Sequence, residues 1–131
     1  RLIRAENCGL TDTDYPSISI GNLSSHRAVS QKLGRDLSAL RWRTNIWLDD
    51  LAPWKEFDWV GRNIEIGEVQ FEICERAQRC LATTANPETG WRDVDTLEVL
   101  QTLDHQDFCV YARVLNTGTI HVNDSAKASN P

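Results

Sequence analysis

The segment IEIGEVQFEICE, residues 64–75, most constrains the fold, because apolar and polar residues alternate through it twice, once on each side of a glycine. Alternation with a period of two is typical of a half-buried β-strand. We therefore predict strand structure over residues 64–74, with Val69, Phe71 and Ile73 on the buried side. A chain built around such a segment needs other strands to pair with it.

Other segments carry the same type of signal. Strand-like patterns occupy residues 17–23, 39–50, 108–115 and 119–122. Helical patterns occupy residues 24–34, with Ser24 as N-cap and Gly34 as the stop, and residues 94–106, capped by Asp95 or Thr96. Short strands with only two or three helices predict a mainly β (β-rich α+β) domain, either an irregular barrel or an α+β fold.

Composition limits the classes of function. The length of 131 residues favours a single domain, and the net charge of −5 argues against sequence-independent nucleic-acid binding. No apolar stretch approaches the roughly 20 residues that span a bilayer, and the sequence predicts a cytoplasmic protein. The four cysteines contain no Cys-x-x-Cys pair, so a zinc site is not expected and free thiols are favoured over disulfides.

Cys80 is the first candidate for chemistry. It lies in CERAQRCLATTANPETG, residues 74–90, between an arginine-containing segment and a turn-forming one. A thiolate is the form that attacks or binds metal, and nearby cations such as Arg76 and Arg79 favour it. On these residues alone, a small buried core cysteine is the competing interpretation.

Arg43 and Asn45 form the second candidate. In the strand expected over residues 39–50 they are two positions apart, so their side chains leave the same face. A guanidinium fork beside an amide suits a phosphate or carboxylate ligand. A solvent-exposed strand face is the alternative.

Four segments together resemble a known family. They are RWRTNIWLDDLAPWKEFDWVGRNIEIG, ICERAQRCLATTANPETGWRD, LEVLQTLD and CVYARVLNTGTIHVND. In order and spacing they resemble the MOSC domain, the module at the C-terminus of molybdenum cofactor sulfurases, and above all the branch that includes the mitochondrial amidoxime-reducing component. Thr44 departs from the pattern, since many relatives have proline there. The resemblance implies an irregular β-barrel with short flanking helices.

The resemblance also implies a cofactor site. Cys80 aligns with the cysteine that ligates molybdenum in the reductase branch and is proposed to carry sulfur in others. Arg43 and Asn45 align with residues near the phosphate of the molybdenum cofactor, a molybdopterin. The other positions assigned to cofactor binding are Gln78, Arg79, Thr83 and Thr84.

Three functions follow as expectations from this resemblance. The first is a molybdenum-cofactor oxidoreductase of the N-hydroxylated-substrate reductase type, which needs a flavin or iron–sulfur protein as electron donor. The second is a carrier that receives sulfur from a cysteine desulfurase and holds it as a Cys80 persulfide. The third is a non-catalytic binding domain that retains only the fold. Pyridoxal phosphate is not expected on this chain, because none of its three lysines lies in a recognisable cofactor motif.

The resemblance also gives domain limits. We expect a MOSC domain over residues 1–124, with residues 1–12 as the end of an upstream β-rich segment, and a disordered tail over residues 125–131. The chain contains no methionine and opens within a pattern, so we expect it to be part of a longer protein.

Overall fold

A single mixed sheet organises residues 13–129, the part of the chain that the computed structural model describes. Its strands are β1 (Ile18–Asn22), β2 (Ile46–Leu48), β3 (Asn63–Ile66), β4 (Val69–Gln78), β5 (Asp107–Val114) and β6 (Ala126–Ala128). The helices are α1 (Leu23–Leu33) and α2 (Thr96–Gln101). The strand order is β2-β1-β5-β4-β3-β6, with β1 and β2 parallel and all other neighbours antiparallel. The predicted β-rich α+β class is confirmed.

The segment with the clearest alternation behaves as predicted. β3 and β4 form an antiparallel hairpin in which Ile64 pairs with Phe71 and Ile66 with Val69. All four of these side chains are buried. β4 runs four residues beyond the predicted end, so Gln78 belongs to the strand and Cys80 lies two residues after its end.

The strand predicted over residues 39–50 is wrong for most of its length. Ala39–Trp42 form a 3-10 turn that Ser38 caps through its side chain, and Arg43 follows in the left-handed region at φ 53°. Only Ile46–Leu48 are a strand. The sequence pattern correctly places Trp42 in the core, but this side chain reaches the core from a turn. Arg43 and Asn45 precede the strand, so they do not share a strand face.

The C-terminal prediction also needs correction. Residues 119–122 were expected to be a strand, but they form a loop in which Val122 is 92% exposed, so the alternation buries no apolar face. The strand comes later, at β6, within the segment predicted as a disordered tail. Ala126–Ala128 pair with β3 along its free edge. The prediction for residues 1–12 lies outside the described residues.

Each helix differs from its prediction at one end, α1 at its start and α2 at its end. α1 is capped by Asn22, whose side chain accepts a hydrogen bond from the Ser24 amide, so the prediction of Ser24 as N-cap is wrong by two residues. Gly34 ends α1 in the left-handed conformation, as predicted. Asp95 caps α2, one of the two predicted alternatives, but α2 ends at Gln101.

The core has two parts. One is built from β-strand side chains: Ile20, Leu48, Trp59, Ile64, Ile66, Val69, Phe71, Ile73, Val110 and Ala112. The other lies where the helices and the residue 39–42 turn meet the sheet: Val29, Leu37, Trp42, Ala77, Val99, Leu100, Phe108 and Cys109. The second part supports the site described below.

A buried carboxyl group anchors the segment that precedes β3. Glu56 is fully buried and accepts hydrogen bonds from Asn22 Nδ2 at 2.9 Å and from Ser25 Oγ at 2.9 Å. Burial raises the pKa of Glu56, although both hydrogen bonds act in the opposite direction. Charging this group in the folded state is therefore unfavourable relative to the unfolded chain.

We expect Glu56→Gln to change how stability depends on pH. The folded-state pKa of Glu56 lies above its ordinary value of 4.5, so the folded state holds the proton more tightly. The stability of the wild-type protein should therefore fall as pH rises from about 4.5 through the folded pKa. Glutamine offers one acceptor and one donor to the same partners and does not titrate. Urea unfolding between pH 5 and 8 should show the variant gaining relative stability with pH, and parallel curves would contradict this.

Candidate functional site

A cavity of about 430 Å³ opens beside the end of β4, between β1, the residue 39–45 segment and the turn after Cys80. We call it the Cys80 cavity. It is lined by six of the seven side chains singled out from the sequence: Arg43, Asn45, Gln78, Arg79, Cys80 and Thr83. Thr84 is buried and lies outside this lining. The positions thus converge although they come from two segments more than 30 residues apart.

Cys80 lies at the opening, where its side chain is exposed. It directly precedes a 3-10 turn, Leu81–Thr84, and its carbonyl accepts hydrogen bonds from the Thr83 amide at 3.3 Å and from Thr83 Oγ1 at 3.1 Å. Thr83 Oγ1 also lies 2.8 Å from Thr96 Oγ1 of α2. The interpretation of Cys80 as a buried core residue is therefore wrong, and its backbone is held while its thiol remains accessible.

Arg43 and Asn45 reach the cavity from the connection into β2. The side-chain oxygen of Asn45 accepts hydrogen bonds from the amide of Ser19 at 2.8 Å and from its hydroxyl at 3.0 Å. This leaves Asn45 Nδ2 without a partner among residues 13–129. The guanidinium of Arg43 likewise has no partner in that part of the chain. Both groups are available as donors.

Arg79 is held more tightly. Its Nε donates to the Phe108 carbonyl at 2.8 Å and its Nη1 donates to the Trp42 carbonyl at 3.0 Å. The rings of Trp42 and Phe108 are stacked, with centroids 3.9 Å apart. Arg79 Nη2 is buried and has no hydrogen-bond partner in the described residues. A cationic N–H group left unpaired in this way is costly unless a ligand accepts from it.

Arg41 is a lining residue that sequence reasoning missed. It is 6% exposed, pairs with the Asp93 carboxylate at 3.2 Å and donates to the Thr83 carbonyl at 3.2 Å. Hydrogen bonding from Arg41 lowers the pKa of Asp93, which keeps that partner charged. Asp93 is 52 residues away in sequence, so no local pattern could have linked the two residues.

Other suggested residues lie elsewhere. Arg76 pairs with Asp107 at 3.6 Å and lies over the Phe57 ring, so it does not reach the cavity. Cys74, Cys80 and Cys109 are all unpaired thiols. In residues 13–129 there is no cluster of His, Cys, Asp and Glu that could hold a metal ion through protein ligands alone. Nor do these residues include a helix long and apolar enough to cross a membrane.

The lining has a distinctive chemistry. Among residues 13–129 it contains three arginines, Arg41, Arg43 and Arg79, and no carboxylate, and a single exposed thiol stands at its opening. Guanidinium groups bind phosphate and carboxylate in forked geometry, and a thiolate prefers soft metals. The cavity suits an anionic ligand that carries a thiophilic centre.

Comparison with known proteins identifies the family. The family model described as the MOSC domain matches residues 12–127. The chain belongs to the MOSC domain family. The match covers nearly all of the described residues, so the resemblance inferred from the sequence segments is confirmed.

Curated relatives of this MOSC domain belong to two kinds of protein. One is mitochondrial amidoxime-reducing component 1 of Danio rerio, 33% identical over 115 residues, which covers 81% of this chain and 33% of the relative. Another is molybdenum cofactor sulfurase of Drosophila willistoni, 32% identical over 82 residues, which covers 63% of this chain and 10% of the relative. The chain thus spans a third or less of the length of these proteins.

A solved structure supports the fold. YiiM from Geobacillus stearothermophilus superimposes on this MOSC domain with a TM-score of 0.62 at 19% identity, covering 86% of this chain and 54% of that one. This agreement confirms the predicted barrel-like β fold.

Proposed function

We propose that this MOSC domain binds the molybdenum cofactor in the Cys80 cavity and serves an oxidoreductase that acts on N-hydroxylated substrates. One observation carries the proposal: an exposed thiol, the Arg79 side chain and an Arg43 guanidinium without a partner in residues 13–129 line the same cavity. None of these features alone indicates a particular ligand. Together they match a ligand that is anionic at one end and thiophilic at the other.

The residues fit the cofactor in their donor chemistry. Its phosphate needs cationic and amide donors, which Arg43, Asn45 and Arg79 offer without breaking existing bonds. Molybdenum accepts a thiolate, which Cys80 can provide at the opening. Gln78 and Thr83 would add polar contacts, whereas Thr84 would act from behind the lining by supporting the turn.

The cofactor, when bound, supplies the oxygen-atom and electron-transfer chemistry. The chain's own part is binding and orientation. The carbonyls of Trp42 and Phe108 fix the Arg79 guanidinium, Ser19 fixes the Asn45 amide, and Thr83 fixes the backbone that presents Cys80. Such preorganised donors cost little reorganisation on binding. Electrons would come from a flavin or iron–sulfur protein. The protein would act in the cytoplasm.

A sulfur carrier is the second candidate. The exposure of Cys80 favours it, because a persulfide must be reached by both a donor and an acceptor. A cysteine desulfurase would be the donor, with its pyridoxal phosphate on that partner and not on this chain. The relatives named molybdenum cofactor sulfurase are consistent with this alternative.

The deciding experiment is metal analysis by mass spectrometry on the full-length protein. The protein is purified without oxygen from a host that makes molybdenum cofactor. We expect near-stoichiometric molybdenum together with pterin released on denaturation. A protein free of both would contradict the proposal; Cys80 persulfide on intact-mass analysis would then support the carrier, and an unmodified thiol would support a binding domain without chemistry.

Replacing Arg43 with alanine should weaken anion binding. We expect about a tenfold rise in the Kd for inorganic phosphate, measured by calorimetry, because one charge-assisted contact at an exposed position is lost. Arg43→Lys should recover part of the affinity, since it keeps the charge but not the fork. Arg62→Ala, outside the cavity lining, is the control. Equal losses in both alanine variants would place the anion elsewhere.

A further inference from the structure

Cys109 occupies an unusual backbone position beneath the cavity. It is fully buried, and its φ of 71° lies in the left-handed region, which favours glycine. It belongs to a bulge in β5: Phe108 and Cys109 lie opposite Ala77, between the pairs Arg76–Val110 and Gln78–Asp107. Residues held in such conformations are strained and often lie at functional sites.

The thiol of Cys109 contacts the Thr44 hydroxyl and lies near the Arg79 side chain. Its Sγ lies 2.9 Å from Thr44 Oγ1, and either atom can donate. Burial raises the pKa of this thiol to about 11, while Arg79 and Thr44 act in the opposite direction. The thiol therefore keeps its proton near neutral pH and can donate it to Thr44.

The space around this contact is tightly closed. A Cβ atom on Gly21 would lie 2.9 Å from Cys109 Sγ and 3.0 Å from Thr44 Cγ2, so only glycine allows this approach. Thr44 stands between Arg43 and Asn45, both of which line the cavity. Fixing Thr44 against Cys109 therefore limits the movement of both neighbours.

The same bulge also reaches Arg79. The carbonyl of Phe108, the residue before Cys109, accepts the hydrogen bond from Arg79 Nε at 2.8 Å. The direction of that carbonyl is set by the peptide that joins Phe108 to Cys109. Cys109 therefore affects two walls of the cavity. Its thiol contacts the wall that bears Arg43 and Asn45, and its backbone sets the carbonyl that binds Arg79.

We propose that Cys109 is a positioning residue for anion binding, its thiol holding Thr44 and its bulged backbone directing the carbonyl that orients Arg79. This inference rests on the anion-binding part of the proposed function, and it extends the site to residues that contact no ligand. If Cys109 served only to fill the core, the variants would follow a different order of phosphate affinity.

The test compares paired substitutions by calorimetric titration with inorganic phosphate. Cys109→Ala and Thr44→Val remove the hydrogen bond, and each should raise the Kd about fivefold. Cys109→Ser and Thr44→Ser keep a hydroxyl at the same place and should stay within about twofold of wild type. The double variant Thr44→Val/Cys109→Ala should lose no more than either single variant, because both remove the same contact.

Opposite outcomes would overturn the proposal. A core-filling cysteine tolerates alanine better than serine, so Cys109→Ala binding as well as wild type, or Cys109→Ser binding worse than Cys109→Ala, contradicts positioning. Additive losses in the double variant would do the same. Wild-type protein that binds no phosphate would also overturn it, since there would be no anion to position.

A third substitution at Cys109 guards against simple loss of folding. Cys109→Gly removes the thiol and also relieves the left-handed strain, so its melting temperature should not fall below that of Cys109→Ala. Its phosphate affinity should nevertheless drop as in the alanine variant, and retained affinity would refute the role of the thiol. Molybdenum analysis of the wild-type protein tests the cofactor proposal independently. Metal-free protein that shows this order of phosphate affinities would contradict cofactor binding but would still support Cys109 as a positioning residue.

Discussion

Molybdenum should fall from near-stoichiometric to below about a tenth of that level when Cys80 is replaced by serine, since a soft metal prefers thiolate to hydroxyl oxygen. The free energy of unfolding should change by less than about 0.5 kcal/mol, because the Cys80 side chain is exposed. The Cys80 backbone bonds to Thr83 do not depend on the side chain. The measurement is metal mass spectrometry beside urea unfolding, on protein purified without oxygen.

Cys74→Ser is the matched control for this variant. Cys74 is half-buried and lies outside the lining of the Cys80 cavity, so its substitution should leave molybdenum unchanged. Equal molybdenum in wild type and Cys80→Ser would remove Cys80 from the metal site. Equal loss in both serine variants would point to general damage by handling or oxidation and would equally count against a specific ligand.

The second large effect is expected at Trp42. Its ring is fully buried and stacks on Phe108, and its Nε1 donates to His26 Nδ1 at 2.8 Å. Burial lowers the pKa of His26, which keeps the ring neutral and able to accept this bond. Trp42→Ala should reduce the free energy of unfolding by about 3–5 kcal/mol, the usual range for emptying a large aromatic site.

Trp91→Ala is the control, because Trp91 is 79% exposed. Its effect on unfolding by urea should stay within about 0.5 kcal/mol. Trp42→Ala should also weaken phosphate binding at temperatures where it remains folded, since the Trp42 carbonyl orients Arg79. Similar stability losses in the two tryptophan variants would contradict the assigned core.

The sequence predicted the elements that short-range patterns determine. The β3–β4 alternation and the stop at Gly34 follow from local chemistry, and the structure contains both. Residues 39–42 show the limit of this reasoning, since a turn and a strand can place the same apolar residues in the core. Stacking of Trp42 on Phe108, 66 positions away, accompanies the turn rather than a continued strand. β6 was missed because its strand character depends on pairing with β3 and not on its own apolar content.

The site was predictable only in part for a similar reason. Motif spacing pointed to Cys80, Arg43 and Asn45 without showing how they meet. The sequence did not identify Arg41 and Cys109 as site residues, because their roles depend on partners far along the chain. These partners are Asp93 for Arg41 and Thr44 for Cys109. Nothing in the segment DFCVYARV marks the bulge that sets Cys109 apart from an ordinary strand residue.

The position of β5 in the sheet bears on when the cavity can exist. β5 lies between β1 and β4, so it joins the wall beside β1 to the wall that ends at Cys80. In chain order β5 follows both of them, at Asp107–Val114. A nascent chain still lacking these residues has the arginines and the thiol but not the strand that joins β1 to β4. Loading of any ligand is therefore an event that follows synthesis of nearly the whole domain.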